Sequence, residues 1–208
     1  DVLTDADSNV AIGFAALSSD TLGSKSVAIG TATLNNQNFT SATDSFNTAV
    51  GHEAGLAVTT GTQNTFIGGL AGDANTTASN NTALGYLALS ANTTGASNVA
   101  IGVGAVDSNT TGANNVGMGV NSLGSNTTAS NNTAVGHASL STATTAANNT
   151  AVGQGSLSAT TTGANNTALG RSALGANTTG AGNTAVGQGS LSANTTASNN
   201  TAVGLDAL

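Results

Sequence analysis

A pentapeptide that recurs along the chain at nearly constant spacing constrains the fold most. One copy is Asn-Thr-Ala-Val-Gly at positions 132–136, and ten of the eleven intervals between the copies' glycines are 17-residue steps. The exception is the 21-residue step from Gly30 to Gly51. A repeat this short cannot hold a helical hairpin and fits one coil of a stacked solenoid. The sequence therefore predicts an all-β fold, a parallel β-solenoid (β-roll) with 17-residue coils, forming a single domain of 12 coils over residues 1–208. The motif glycines are Gly13, Gly30, Gly51, Gly68, Gly85, Gly102, Gly119, Gly136, Gly153, Gly170, Gly187 and Gly204.

The apolar positions of the motif predict its two strand faces. The residue before each glycine is Ile, Val, Leu or Met, and the residue three before is Val or Thr. Alternate strand positions share a face, and β-branched residues suit a pleated, buried surface. We expect a structural ladder built, in one coil, from Asn132, Val135, Gly136 and Leu140. Between the two apolar positions lies Ala in ten copies, Phe66 and Gly117 being the exceptions, which predicts an opposite face of small side chains.

Asparagine opens eleven of the twelve motifs, and Ser26 opens the other. Asn tolerates left-handed turns, and its amide can bond to copies stacked above and below, as in cross-β stacks. No Asn-Gly dipeptide occurs, which disfavours two-residue hairpins and favours parallel stacking.

Each coil contributes few large apolar side chains, so a lone column has a thin core for the backbone that it must order. The Ala/Gly face would let a second backbone come close. We therefore expect lateral self-association through the Ala/Gly face, as a symmetric homo-oligomer.

Composition limits the partners. Only 5% of the 208 residues are charged, the net charge is −7, and Lys25 and Arg171 are the two basic side chains. This charge excludes a nucleic-acid footprint. The chain has no Cys, and no apolar run is long enough for a membrane span. Because the sequence begins within the repeat pattern and stops in mid-coil, we expect an excerpt of a longer fibre that continues end to end.

The one irregularity is an insertion loop near residues 35–46, which carries Phe39 and Phe46. Insertions in a solenoid coil protrude on one face, often the binding face. Phe39 and Phe46 are therefore the candidate partner-contact residues. The alternative is a surface loop whose aromatic rings pack back onto the column.

The sequence contains few of the residue patterns that catalytic or metal sites require. His52 and Glu53 adjoin without the second His of a zinc motif. His52 and His137 share one slot five coils apart, roughly 24 Å, so they cannot share a metal within one chain. A ring of His around an oligomer axis stays open, as does weak ion binding by Asp1, Asp5 and Asp7. No base stands at fixed spacing to activate a Ser or Thr. We expect no enzyme and no catalytic, metal or cofactor-binding residue, hence no cofactor.

Nine consecutive coils carry a Thr pair, from Thr59-Thr60 to Thr195-Thr196. A regular Thr/Asn face is one way to recognise ice or glycan. Adjacent strand residues point to opposite faces, so each coil is expected to present only one outward Thr, in a turn ladder that keeps the rod soluble. Asn-x-Thr sequons such as Asn75, Asn92 and Asn109 come with the same turn.

The Asn-Ser/Thr/Val-Ala-Ile/Val-Gly string resembles the head repeats of trimeric autotransporter adhesins, whose usual coil is shorter. The chain is also similar to the Asn-Thr-Thr-Gly-Ala-x-Asn-Thr-Ala-Val-Gly arrays of bacteriophage tail fibres and related bacterial surface fibres, as at positions 177–187. The resemblance implies a homotrimeric, extracellular structural segment on a virion or bacterial cell surface, which supports attachment to a host or surface receptor such as a glycan.

Overall fold

The computed structural model describes residues 6–208 as a stack of short strands joined by turns. Twelve three-residue strands each coincide with the centre of a motif, and of two further short strands one precedes the insertion loop and one lies within it. The strands are β1 (Val10–Ile12), β2 (Gly23–Ser24), β3 (Val27–Ile29), β4 (Thr43–Asp44), β5 (Thr48–Val50), β6 (Thr65–Ile67), β7 (Thr82–Leu84), β8 (Val99–Ile101), β9 (Val116–Met118), β10 (Thr133–Val135), β11 (Thr150–Val152), β12 (Thr167–Leu169), β13 (Thr184–Val186) and β14 (Thr201–Val203).

All strand pairs are parallel, and each motif stacks directly on the next. The large sheet has the order β1-β3-β5-β6-β7-β8-β9-β10-β11-β12-β13-β14, while β2 pairs with β4. Ala134 lies opposite Ala151 and Val135 opposite Val152, so the pairing register equals one repeat. The insertion is absorbed between β3 and β5, where Val27 pairs with Thr48. The predicted all-β parallel solenoid with 17-residue coils is confirmed, and it makes about eleven turns.

The motif glycine is required both by its backbone angle and by the close approach of the next rung. The twelve motif glycines have φ between +127° and +139°. A Cβ placed on Gly136 would lie 2.8 Å from the carbonyl oxygen of Gly153. An L side chain there meets a strained conformation and a backbone clash together.

The interior contains the small side chains, and the prediction of an outward Ala/Gly face is wrong. Ala134 and Leu140 are both 0% exposed, whereas Leu169 in β12 is 47% exposed. Val135 is half-buried in the single chain. The rung is narrow: one Leu, several Ala or Ser side chains and buried Asn side chains fill it, so alternation along the strand places the branched side chains outside. Lateral association through the alanines is therefore also wrong, because the chain's own core occupies that face.

The Asn that opens each motif forms a buried ladder, which we call the motif Asn ladder (Asn47 to Asn183, at 17-residue intervals). The backbone N–H of Asn132 donates to Asn115 Oδ1 at 3.0 Å, and Asn132 Oδ1 accepts from the backbone N–H of Asn149 at 2.9 Å. The predicted amide bonding between stacked copies is confirmed. The left-handed conformation belongs to the preceding residue instead, such as Asn131 with φ +63°.

Candidate partner-binding surfaces

One face of the rod collects most of the exposed apolar side chains, and we call it the outer face. It consists of the side chains three and one before and one after each motif glycine, for example Thr133, Val135 and His137. Twelve of the fourteen exposed large hydrophobic residues lie on it; the exceptions are Phe46 and Leu208. The twelve are Val10, Ile12, Phe14, Ile67, Leu84, Tyr86, Val103, Met118, Val120, Leu169, Val203 and Leu205. The residue before the glycine is apolar in every rung, so an apolar stripe runs along this face, and exposed apolar surface of this kind often marks an interaction site.

The outer face is regular because backbone hydrogen bonds hold its columns in register. Twelve strands at about 4.8 Å spacing make it about 53 Å long. Each strand adds three extended residues, about 10 Å of width, and the chain bends at the motif glycine before the last column. Sequence reasoning missed this surface because it assigned the branched residues to the interior.

The column just after the motif glycine changes character along the rod. It contains exposed apolar residues at Val103 and Val120. The next four rungs carry exposed polar side chains, namely His137, Gln154, Arg171 and Gln188. The outer face thus has an apolar stretch followed by a polar segment with one cation.

In the Thr pairs, the first hydroxyl is hydrogen-bonded to the next rung and the second is not. The first Thr donates to the main-chain oxygen of the next rung's Thr, for example Thr93 Oγ1 to Thr110 O at 3.0 Å. The second Thr is exposed, and within the described residues its hydroxyl makes no hydrogen bond, as at Thr94 and Thr145. One exposed hydroxyl column, the Thr column (Thr60 to Thr196 at 17-residue intervals), therefore runs along the rod.

The insertion separates its two aromatic side chains. Phe39 is buried at 6% exposure and packs beside Gly23, so its ring lies back on the column. Phe46 is 51% exposed, with Lys25 Nζ 5.2 Å from its ring centroid. Lys25 also pairs with Asp44. Of the two candidate contact residues, Phe46 alone is available at the surface.

The histidines remain apart, as their spacing predicts. His52 Nε2 lies 3.6 Å from Glu53 Oε1, and His137 is exposed five rungs further on. Among residues 6–208, no group of three His, Cys, Asp or Glu side chains could hold a metal, and no pocket occurs. Asp1 and Asp5 lie outside the described residues.

A second buried ladder, seven residues after the motif glycine, was not predicted. Asn92 Nδ2 donates to Asn75 Oδ1 at 2.7 Å, and Asn109 repeats this bond to Asn92 at 2.8 Å. The sequons at Asn75, Asn92 and Asn109 are thus fully buried. The exposed sequon asparagines are the left-handed turn residues, such as Asn131 and Asn148.

Near the start of the chain the position seven after the motif glycine holds Asp20 and Gln37, and Val58 separates them from the ladder that begins at Asn75. Gln37 Nε2 donates to Asp20 Oδ2 at 2.7 Å, and Asn47 Nδ2 donates to Gln37 Oε1 at 2.8 Å. The backbone N–H of Gly23 donates to Asp20 Oδ1 at 2.9 Å. The bonds from Gln37 and Gly23 satisfy a carboxyl group that is 1% exposed, as a buried polar group requires.

Two carboxyl groups five residues after their motif glycines are perturbed. Burial raises the pKa of Asp73, and the negative charge of Glu53 adds to the rise. Burial likewise raises the pKa of Asp107, with neighbouring backbone N–H groups offsetting part of the effect. Neither carboxyl group lies on the outer face. Their raised pKa values therefore reflect burial within a folded rung.

No protein-family profile, curated protein or solved structure matches this chain. Within residues 6–208, no helix long and apolar enough to cross a membrane occurs.

Proposed function

We propose that this chain is a non-enzymatic structural segment of an extracellular fibre, assembled laterally with copies of itself. Its role is mechanical: a continuous parallel sheet and two buried Asn ladders make a stiff rod that carries or presents an attachment element. The observation that carries the proposal is the outer face, where twelve of fourteen exposed large hydrophobic side chains are aligned.

The outer face suits a second copy of the chain. A standard specific interface buries roughly 800 Å² per partner, so a contact here would use the whole length of the rod. The face carries no carboxylate in any rung of residues 74–208, so identical faces can meet without negative charges opposed. Closed, symmetric association of identical chains is the commonest form of oligomer and would cover such a face.

The repeat resemblance supports a homotrimer on a virion or bacterial cell surface. Three copies packed by their outer faces around one axis would bury Val135 and its stacked equivalents in a shared core. The Thr column and Phe46 would stay outside, available to a host or surface receptor.

Light scattering on a matched pair of variants tests the proposal. Leu169→Asp places a charge on the outer face, and Thr179→Asp places the same charge on the Thr column. We expect the wild type and Thr179→Asp to have three times the 19.6 kDa mass of one chain. Leu169→Asp should have the mass of one chain and an unchanged circular dichroism spectrum. A wild type of one-chain mass would overturn the proposal.

A second candidate function is recognition of ice or glycan by the Thr/Asn face. The uncommitted hydroxyls of the Thr column favour it, since they repeat at the rung spacing of about 4.8 Å. Thermal hysteresis or binding to a glycan array by the wild type, abolished by Thr94→Val with Thr111→Val, would support it. The same substitutions at the committed hydroxyls Thr93 and Thr110 are the control. If neither thermal hysteresis nor glycan binding is seen, the structural fibre segment is the one proposed function that remains.

A further inference from the structure

The polar segment of the outer face contains an unpaired cation. Arg171 is exposed, and its guanidinium makes no ion pair or hydrogen bond within residues 6–208. From residue 74 onward the only other charged side chains are Asp107 and Asp206. Asp107 lies away from the outer face, and Asp206 lies next to it two rungs beyond Arg171, but no ion pair joins either carboxylate to Arg171 in the part of the chain that the structure describes.

Two amide side chains flank this cation on the adjacent rungs. Main-chain bonds fix their stacking: Ser172 N donates to Gln154 O at 3.0 Å, and Gly189 N donates to Arg171 O at 3.0 Å. Gln154, Arg171 and Gln188 therefore follow one another at about 4.8 Å. His137 lies one rung before Gln154, with Gly155 N bonded to His137 O at 3.1 Å.

The chemistry of this column suits an oxyanion. A guanidinium presents a planar fork of N–H donors that matches carboxylate, sulfate and phosphate oxygens. Each Gln amide adds two N–H donors, and the His ring adds at least one. Within the column no carboxylate competes for these donors.

We propose that Arg171, flanked by Gln154 and Gln188, forms a binding site for an oxyanion: a carboxylate, sulfate or phosphate group. The inference rests on the proposed lateral assembly, because copies related by symmetry would bring their Arg171 side chains onto one shared face. Like charges brought together in this way repel each other, and an in-register copy offers only another Arg171. A bound oxyanion supplies the missing negative charge.

The test uses the full chain, thermal melting and titration calorimetry with sodium phosphate or sodium sulfate against sodium chloride at equal ionic strength. Arg171→Gln is the test variant, and it extends the existing Gln column without an apolar change. Lys25→Gln is the matched control, because it changes the net charge equally and lies off the outer face. Arg171→Lys keeps the charge but removes the fork.

We expect phosphate or sulfate to raise the melting temperature of the wild type and of Lys25→Gln above the chloride value. Arg171→Gln should lose this increase and bind at least about tenfold more weakly, as expected for removal of a charged hydrogen-bond donor. Arg171→Lys should fall between them. Equal stabilisation of the wild type and Arg171→Gln by the ions would overturn the site, since general salt effects act on both.

A second arm distinguishes a free ion from the same group on a polymer. Retention of the wild type and Lys25→Gln, but not Arg171→Gln, on dextran sulfate, with neutral dextran as control, supports a polymer-borne oxyanion. A response to the free ions alone supports a small ion. If neither free ions nor dextran sulfate act through Arg171, the site is wrong. Light scattering on the same samples measures the oligomeric state separately. A trimer that does not bind the ions would overturn the oxyanion site without contradicting the proposed function.

Discussion

The ring of Phe66 occupies the space that Gly72 leaves free on the same rung. A Cβ added at Gly72 would lie 2.5 Å from Phe66 Cε1, and one at Gly55, on the preceding rung, would lie 2.9 Å from Phe66 Cδ2. Phe66 stands where other rungs have Ala, and the two glycines stand where they have Leu. One large side chain therefore replaces two smaller ones in the core.

This exchange predicts a compensating pair of substitutions. Phe66→Ala should destabilise the rod by about 3–5 kcal/mol, because it leaves a large cavity. Gly72→Leu alone should also destabilise it, because the new side chain meets the Phe66 ring. The double variant should recover much of the loss, since it recreates the Ala and Leu of a standard rung. A double-mutant cycle measured by chemical denaturation checks this; additive losses would contradict it.

The second Asn ladder has a gap that can be filled. Asn126 Oδ1 is buried without a hydrogen-bond partner, because Ala143 stands where the next Asn would donate. Ala143→Asn should stabilise the protein by about 1 kcal/mol by satisfying that oxygen. Ala147→Asn, the same change at a partly exposed position of the same rung, should have almost no effect on the melting temperature. Equal shifts for the two variants would show that the ladder gap is not the cause.

Left-handed positions give a test of the turn geometry. Gly155 has φ +64°, and a Cβ there would meet nothing closer than Ser172 Oγ at 3.9 Å. Gly155→Ala should therefore cost only the left-handed strain, about 1 kcal/mol. Gly136→Ala should cost clearly more, since it adds a clash with the Gly153 carbonyl. The unfolding midpoints of the two variants measure this difference. Equal losses of stability would contradict the close packing of the motif glycines.

The raised carboxyl pKa values predict how acid affects stability. A carboxyl with a higher pKa in the folded state binds protons more readily when folded, so its contribution favours folding at low pH and declines as the pH rises. Asp73→Asn and Asp107→Asn should each reduce the stabilisation gained as the pH falls from neutral through the carboxyl range. Melting temperatures against pH measure this effect. Asp44→Asn, at an exposed ion pair on the insertion, is a control for the lost charge.

Much of the fold could be predicted from the repeat, but the direction of its faces could not. The period determines the stacking, and Asn132 bonds to the copies above and below it as expected. Alternation along a strand separates Ala134 from Val135 without saying which points inward. Volume decides this: Phe66 occurs with glycines at 55 and 72, and Gly117 occurs where Val106 packs against it. Those paired exceptions could have identified the alanine side as the core, because size compensation requires contact.

The ladder at Asn75 and Asn92 was harder to predict because the same Asn-Thr-Thr string is typical of a solvated turn. The insertion shows the same limit, since its composition does not separate buried Phe39 from exposed Phe46. The repeat pattern of one chain carries no information about partner chains. The role of the outer face therefore has to be tested by experiment.

The distance between copies at Val135 tests the central claim most directly. The chain has no Cys, so single spin labels can be attached to Val135→Cys and, as a control, to Thr145→Cys. Packed outer faces lie about 10 Å apart, so dipolar spectroscopy should give a short distance between copies at Val135 and a much longer one on the Thr column. A short distance at Thr145 with a long or absent one at Val135 would contradict assembly through the outer face.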